Sequence, residues 1–250
     1  MSKILIVGYG IVGSNLHKEL SLLDLDIYDK YKNIDTRACN NYDLAFICVD
    51  TPLTPENNND VSEVYNAINE QNAKIYVIKS TILPDTTNRI IRETGKKVIF
   101  SPEYYGGTQH CNNFEFDFTI LGGDKKTCIE VQNILQHQYD ARHIFRITDS
   151  KTAEVVKYME NSWLATKVSF MQEFFELCQK INIEYEDLRE LFLLDPRVNK
   201  AHTFVYPETP YWDSHCLNKD VPSIAFKYNM ELLKSVLSFN ENQKKKHNKG

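Results

Sequence analysis

The apolar run Ile4-Leu5-Ile6-Val7 leads without a break into Gly8-Tyr9-Gly10-Ile11-Val12-Gly13, and nothing else in the chain constrains its fold as strongly. A short, unalternating apolar run is the mark of a strand buried on both faces. Three glycines spaced in this way serve a tight turn, a close backbone approach to a ligand, and close helix–strand packing, in that order. The spacing predicts a helix from about Ile11 to Leu20 and a second strand at Leu25–Tyr28. Asp29 closes that strand, 19 residues beyond Gly10. A helix start offers unpaired N–H groups to a pyrophosphate, and a carboxylate at Asp29 can take both ribose hydroxyls. Gly8, Gly10, Ile11, Val12, Gly13 and Asp29 therefore read as a dinucleotide site. The carboxylate repels a 2′-phosphate, so NAD is favoured over NADP; the adjacent Lys30, counted with the site, softens that preference.

The same rhythm continues. Leu44–Val49 reads as a strand ending at the breaker Asp50-Thr51-Pro52. Val61–Asn69 reads as a helix capped by Asp60 or Ser62, and Ile75–Ile78, Val98–Phe100 and Phe118–Leu121 as further strands. This alternation argues for an α/β fold with a Rossmann-type, doubly wound and mostly parallel sheet over residues 1–150. The pattern changes near Asp149. From Lys151 to Ile181 there is no Pro or Gly, and Val155, Tyr158, Trp163, Leu164, Val168, Phe170, Phe174 and Leu177 recur at helical spacing. Such a helix is about 45 Å long. A shorter helix at Asp187–Leu194, an irregular segment to His215 and a last helix from about Asp220 to Asn240 complete a small all-helical domain over 151–240. A helix so long and apolar in so short a chain is expected to lie in a homodimer interface. Residues 241–250, with Lys244-Lys245-Lys246, read as a basic disordered tail.

Composition excludes several partners. A net charge of −5 gives no basic face for nucleic acid. No apolar stretch approaches the roughly 18–20 residues of a membrane helix, and the N-terminus has no signal-peptide pattern. Cys39, Cys48, Cys111, Cys128, Cys178 and Cys216 are scattered without metal-ligand spacing, which points to a reducing, cytoplasmic setting and no metal.

Six groups of residues, in order, carry a resemblance. They are Cys48-Val49-Asp50-Thr51-Pro52 with Asp60-Val61-Ser62; Lys79-Ser80-Thr81-Ile82-Leu83-Pro84; Ser101-Pro102-Glu103-Tyr104; Lys157 to Ala165; Asp195-Pro196-Arg197-Val198; and Cys216-Leu217-Asn218-Lys219-Asp220. The sequence resembles the UDP-glucose/GDP-mannose 6-dehydrogenase family, which oxidises the C6 alcohol of a nucleotide sugar to a carboxylate with two NAD. The cysteine motif is most similar to the UDP-glucose branch. The resemblance implies a homodimeric enzyme acting on a nucleotide sugar, with UDP-glucose favoured. It implies Val49, Thr51 and Thr81 at the cofactor, and Glu103, Tyr104, Lys157, Asn161 and Arg197 at the substrate, Arg197 reaching the neighbouring subunit's substrate.

The residue types suit that chemistry. A cysteine can hold an aldehyde as a thiohemiacetal and pass it on as a thioester. Cys216, at a helix start that favours a thiolate, is the candidate nucleophile. Lys157 and Asn161, four apart, share one helical face and can donate to a developing oxyanion; a buried Lys157 could also accept the alcohol proton. By resemblance, Glu103 is the base for water, and Thr81 and Asp220 position water and the cysteine–lysine group.

The chain departs from the family's pattern in three places. Tyr211-Trp212-Asp213-Ser214-His215 stands where a glycine pair usually precedes the cysteine. Gly107 replaces an acidic residue. The chain is expected to be a short form, without the C-terminal domain that holds much of the nucleotide. Two other readings stand beside the leading one: a non-catalytic NAD-binding dimer module, and an NAD dehydrogenase of a smaller alcohol. His215 is a further candidate base.

Overall fold

A computed structural model of the protein describes residues 2–105 and 116–247. The chain divides into two compact units, residues 1–157 and 158–250. Among the described residues, the first is built on eight strands: β1 (Lys3–Val7), β2 (Asp24–Asp29), β3 (Ile34–Asp35), β4 (Tyr42–Ile47), β5 (Ala73–Ile78), β6 (Val98–Phe100), β7 (Phe118–Gly122) and β8 (Ile144–Thr148). Their order across the sheet is β3-β2-β1-β4-β5-β6-β7-β8. The pairs β1–β2, β1–β4, β4–β5, β5–β6 and β7–β8 are parallel, whereas β2–β3 and β6–β7 are antiparallel. Among the described residues, five helices belong wholly or in part to this unit: α1 (Ile11–Glu19), α2 (Ser62–Glu70), α3 (Thr86–Thr94), α4 (Lys125–Leu135) and the first turns of α5 (Ser150–Ile181).

Strand side chains alternate between faces, so each central strand feeds two cores. Ile4, Ile6, Leu44, Phe46, Ile75 and Val77 pack with Leu16 of α1 and Cys128 and Val131 of α4. Leu5, Val7, Ala45, Ile47, Tyr76 and Ile78 pack on the other face with Val64 and Ile68 of α2 and Ile90 of α3. Burial on both faces is why these strands read as continuous apolar runs. The winding reverses between β1 and β4. A ligand crevice opens outside the carboxyl ends of strands at such a point, which is where Gly8, Val49, Lys79 and Ser101 emerge from β1, β4, β5 and β6.

The division between the two compact units falls inside α5, after Lys157. Ala153 belongs to the sheet's core, and the Glu154 carboxylate accepts from the backbone N–H of Asp85 (2.6 Å) and Thr87 (2.8 Å) and from the Thr87 hydroxyl (2.6 Å). Glu154 thus caps α3, whose own N-cap, Asp85, makes no side-chain cap bond to the helix backbone.

The second unit is helical: the rest of α5, α6 (Tyr185–Phe192), α7 (His215–Lys227) and α8 (Glu231–His247). Ala165, Trp212, Leu217, Val221 and Val236 form one core; Met171, Cys178 and Tyr185 form another. Asn240 brackets the Trp212 backbone with two 2.9 Å bonds, and the indole N–H donates to Ser169 at 3.0 Å.

Two expectations need correction here. The last helix begins at His215, not Asp220, and it is two helices. Asn229 takes a left-handed φ of 53°, and the Met230 N–H returns to the Ala225 carbonyl at 2.9 Å, a helix stop of the kind glycine usually makes. The basic tail is also helical as far as His247. Lys244 pairs with Asp213 and Lys246 with Glu176, both at 2.7 Å, and Gln243 is buried. Residues 248–250 lie outside the described residues, as do Gly107 and Cys111. None of the five described cysteines forms a disulfide. Among the described residues no cluster of His, Cys, Asp and Glu could hold a metal ion, and no helix is long and apolar enough to cross a membrane.

Candidate active site

The glycine turn has the form that its spacing predicts. Gly8 has φ 91°, and a Cβ there would stand 2.6 Å from the Cys48 carbonyl oxygen. A Cβ on Gly13 would lie 2.0 Å from the Gly8 carbonyl oxygen, whereas one on Gly10 would meet nothing within 4 Å. The first and third glycines are thus required by the protein's own packing. Gly10 leaves room over a helix start whose N-terminal N–H groups, at Ile11 and Val12, receive no side-chain cap. A pyrophosphate fits that cradle in shape and in charge.

Asp29 is buried, and its carboxylate accepts from the backbone N–H of Tyr9 (2.7 Å), Tyr31 (2.9 Å) and Lys32 (3.0 Å). It therefore holds the glycine turn to the end of β2, and of the roughly four lone-pair sites of a carboxylate it retains one for a hydroxyl. Lys30 bonds Glu63 at 2.7 Å, and this partner raises its pKa. Lys32 donates to the Tyr9 carbonyl at 2.7 Å. Both lysines near Asp29 are thus engaged, which leaves the NAD preference set by the carboxylate.

The ends of β4 and β5 lock together beside this turn. The Thr51 hydroxyl donates to the Thr81 carbonyl at 2.8 Å, and the Ser80 hydroxyl to the Val49 carbonyl at 2.6 Å. Thr51 and Thr81 are buried. Beyond β6, Glu103 is 5% exposed and Lys157, on α5, 4%. The Lys157 ammonium stands 3.5 Å from the Glu103 carboxylate and 5.4 Å from the centre of the Tyr104 ring. Glu103 also accepts the Tyr105 N–H at 2.8 Å. Burial pushes the Cys48 thiol up to about 12, so Cys48 stays a protonated, inert neighbour.

A second polar cluster lies wholly within the helical unit. Asp220 is fully buried; it accepts from the Asn161 amide and from the Lys219 ammonium, each at 2.6 Å. Cys216 is half-buried in the first turn of α7, where the Ser214 hydroxyl caps the Leu217 N–H at 3.2 Å. The bulky residues before the cysteine have work of their own: Trp212 fills the core and Ser214 caps the helix. His215 is exposed. Arg197 is also exposed, and its guanidinium is held by Asp195 at 2.6 Å.

The sequence-derived set thus separates into a cofactor cradle, the pair Glu103–Lys157 with Tyr104 beside it, and the group Asn161–Asp220 near Cys216 in sequence. Lys157 and Asn161 lie one turn apart on α5. Among the buried residues beside these groups, Lys79 and Lys219 received no role from sequence reasoning. Lys79 directly follows the apolar strand Ile75–Ile78, a place where a charge is hard to leave dry, and that position is the signal that could have found it.

Residues 28–140 match the family model described as the UDP-glucose/GDP-mannose dehydrogenase family, NAD binding domain, and residues 151–242 match that family's central domain. The chain is 29% identical over 229 residues to UDP-glucose 6-dehydrogenase of Rickettsia prowazekii, covering 85% of this chain and 52% of that protein. It is 30% identical over 234 residues to UDP-N-acetyl-D-mannosamine dehydrogenase of Methanococcus vannielii, covering 89% and 53%. The chain spans about half the length of the curated relatives it matches. The structure of a UDP-glucose dehydrogenase from Pyrobaculum islandicum has a similar fold, with a TM-score of 0.80 at 22% identity over 97% of this chain and 68% of that one.

Proposed function

The chain belongs to the UDP-glucose/GDP-mannose dehydrogenase family, whose NAD-binding and central domains it carries, and on that premise we propose that it is an NAD-dependent nucleotide-sugar 6-dehydrogenase of the UDP-glucose type. The observation that carries this reading is the buried Glu103–Lys157 pair. A glutamate and a lysine are not dehydrated together without a reason, because ions taken out of water cost several kcal/mol each.

NAD, when bound, supplies the hydride acceptor for both oxidations. Lys157 takes the C6 hydroxyl proton as the alcohol becomes an aldehyde. The Cys216 sulfur then adds to the aldehyde carbon, and the new oxyanion is met by the donors of Lys157 and Asn161. Loss of a second hydride from that thiohemiacetal leaves a thioester on Cys216. Glu103 removes a proton from water, which attacks the thioester carbon and releases the carboxylic acid and the thiolate. Asp220 holds Asn161 and Lys219, Thr81 positions the water, and Tyr104 lines the sugar.

A homodimer in a cytoplasmic setting belongs to the same reading. Met159 (74% exposed), Trp163 (60%) and Ile181 (56%), with Phe170, Phe174 and Leu177, form an apolar stripe along α5, a surface that a second copy would cover. That copy would bring Arg197 to the neighbouring substrate. Sedimentation at micromolar concentration is expected to give a dimer, and a monomer would overturn this part.

The test of the activity is NADH formation with UDP-glucose, UDP-N-acetylmannosamine and GDP-mannose. Two NADH per sugar are expected, fastest with UDP-glucose, and none from Cys216→Ala. Binding of NAD without turnover on any of the three would overturn the dehydrogenase reading.

A further inference from the structure

The motif Lys79-Ser80-Thr81 contains a lysine that the chemistry above does not use. Lys79 follows β5 and is 8% exposed. Its ammonium donates to the Ser101 hydroxyl at 3.2 Å and to the Pro102 carbonyl at 3.4 Å. Those two residues form the short link between β6 and Glu103, and Ser101 is itself 1% exposed. Lys79 therefore fastens, from one strand over, the backbone that presents the Glu103 carboxylate to Lys157. A buried ammonium that merely needed a partner would be expected against a carboxylate; this one spends its donors on the frame of another residue's site.

Its electrostatic surroundings are equally specific. Glu19 at the end of α1, Cys48 after β4, Glu103 after β6 and Lys157 on α5 are the charged and titratable groups that act on it. Glu19 accepts the hydroxyl protons of Tyr105 and Tyr139, which keep that carboxylate in place, and His143 stacks on Tyr139. The signs along the set are thus Glu19 negative, Lys79 positive, Glu103 negative and Lys157 positive. Burial lowers the proton affinity of Lys79, as does Lys157, while the carboxylates raise it.

We propose that Lys79 is a positioning residue for the Glu103–Lys157 pair: it holds the Ser101–Pro102 backbone that aims Glu103, and its charge competes with Lys157 for that carboxylate. The consequence for turnover rests on the dehydrogenase reading; the coupling between the two lysines does not. No bond is made or broken at Lys79, which only biases whether Lys157 keeps or releases its proton.

The test titrates the lysine side chains of the full chain by NMR, with Lys157 assigned from Lys157→Arg. Lys79→Met is expected to raise the titration midpoint of Lys157 by about one pH unit, because a like charge in a screened interior has gone. Lys79→Arg, which keeps the charge, is expected to stay within a few tenths of a unit of the unsubstituted chain. If Lys79→Met does not fold, Glu103→Gln serves in its place and is expected to lower the midpoints of Lys79 and Lys157 together. An unmoved Lys157 in folded Lys79→Met, an equal shift in Lys79→Arg, or a Glu103→Gln response confined to Lys157 would overturn the proposal. If the chain turns over a nucleotide sugar, Lys79→Met also shifts the pH profile of kcat with KM unchanged, whereas a merely structural loss lowers kcat equally at every pH. Absence of turnover alongside a shifted Lys157 midpoint would fail the dehydrogenase reading and leave the coupling standing.

Discussion

In the helical unit the Lys219 ammonium sits 2.6 Å from Asp220, and the Asn161 amide takes the second oxygen of the same carboxylate at 2.6 Å. In the sheet unit Lys157 leans on Glu103 at 3.5 Å, while Lys79 makes its bonds to neutral oxygens at 3.2 and 3.4 Å. Both clusters are buried, yet the first sets an ammonium and an amide on the two oxygens of one carboxylate at 2.6 Å, whereas in the second the carboxylate is 3.5 Å from Lys157 and the second ammonium bonds neutral oxygens. The first arrangement is a strut. The second is looser and, on the proposed mechanism, a poised pair: Lys157 would move its proton while the Lys79 charge still acts near Glu103.

Each cluster can be broken at its carboxylate, and the two breaks are expected to differ. Asp220→Ala leaves Lys219 buried without its counter-charge and should cost about 3–5 kcal/mol of stability. Both tryptophans, Trp163 and Trp212, lie in the helical unit, so their fluorescence in a urea titration reports that loss directly. Glu103→Gln should cost less, about 1–3 kcal/mol, because its lysines can shed a proton, but turnover should fall about 10²–10⁴-fold. Equal stability losses from the two substitutions would erase the distinction between strut and poised pair.

The smallest effect is in the pH dependence. The pKa of Lys79 is depressed below its ordinary 10.5, burial being the main cause. Between its folded value and 10.5 the unfolded chain binds a proton that the folded chain does not, so stability from this residue rises with pH across that window and is lost as the pH falls through the folded value. Melting curves at pH 8 and pH 10 should therefore show a gain in the unsubstituted chain that Lys79→Met lacks. An identical response in both proteins would place Lys79 outside the coupled set.

What could be read from the sequence follows a physical line. The glycine turn, Asp29 and the central strands are local or periodic features, and β1, β4, β5 and β6 lie where their apolar runs predict. The edge strand β8 has no such signal, because its half-exposed residues give no contrast between faces. Asparagine explains another gap. Asn182 and Asn229 both adopt left-handed backbone at helix ends, yet asparagine is tolerated on a helix's polar face, so the sequence stops the long helix near Ile181 but runs the last one through Asn229. The basic tail is ordered by carboxylates distant in sequence, Asp213 and Glu176.

At the candidate site, the motifs supply Glu103, Lys157, Asn161, Asp220 and Cys216 as candidates. They do not show the partners that give these residues their character, since the Ser101 that fixes Lys79 lies 22 residues away along the chain. A buried charge is visible in a sequence only as an oddity; its meaning comes from the groups that fold brings to it.

The most direct test of the proposed chemistry uses Glu103→Gln, in which the thioester should form faster than water can release it. After incubation with NAD and UDP-glucose, mass spectrometry of the denatured chain is expected to find the oxidised sugar nucleotide attached to the peptide that contains Cys216, and no such mass on Cys216→Ala. An unmodified Cys216 peptide, or the same adduct on another cysteine, would contradict the assignment of Cys216 as the nucleophile of an alcohol-to-acid oxidation.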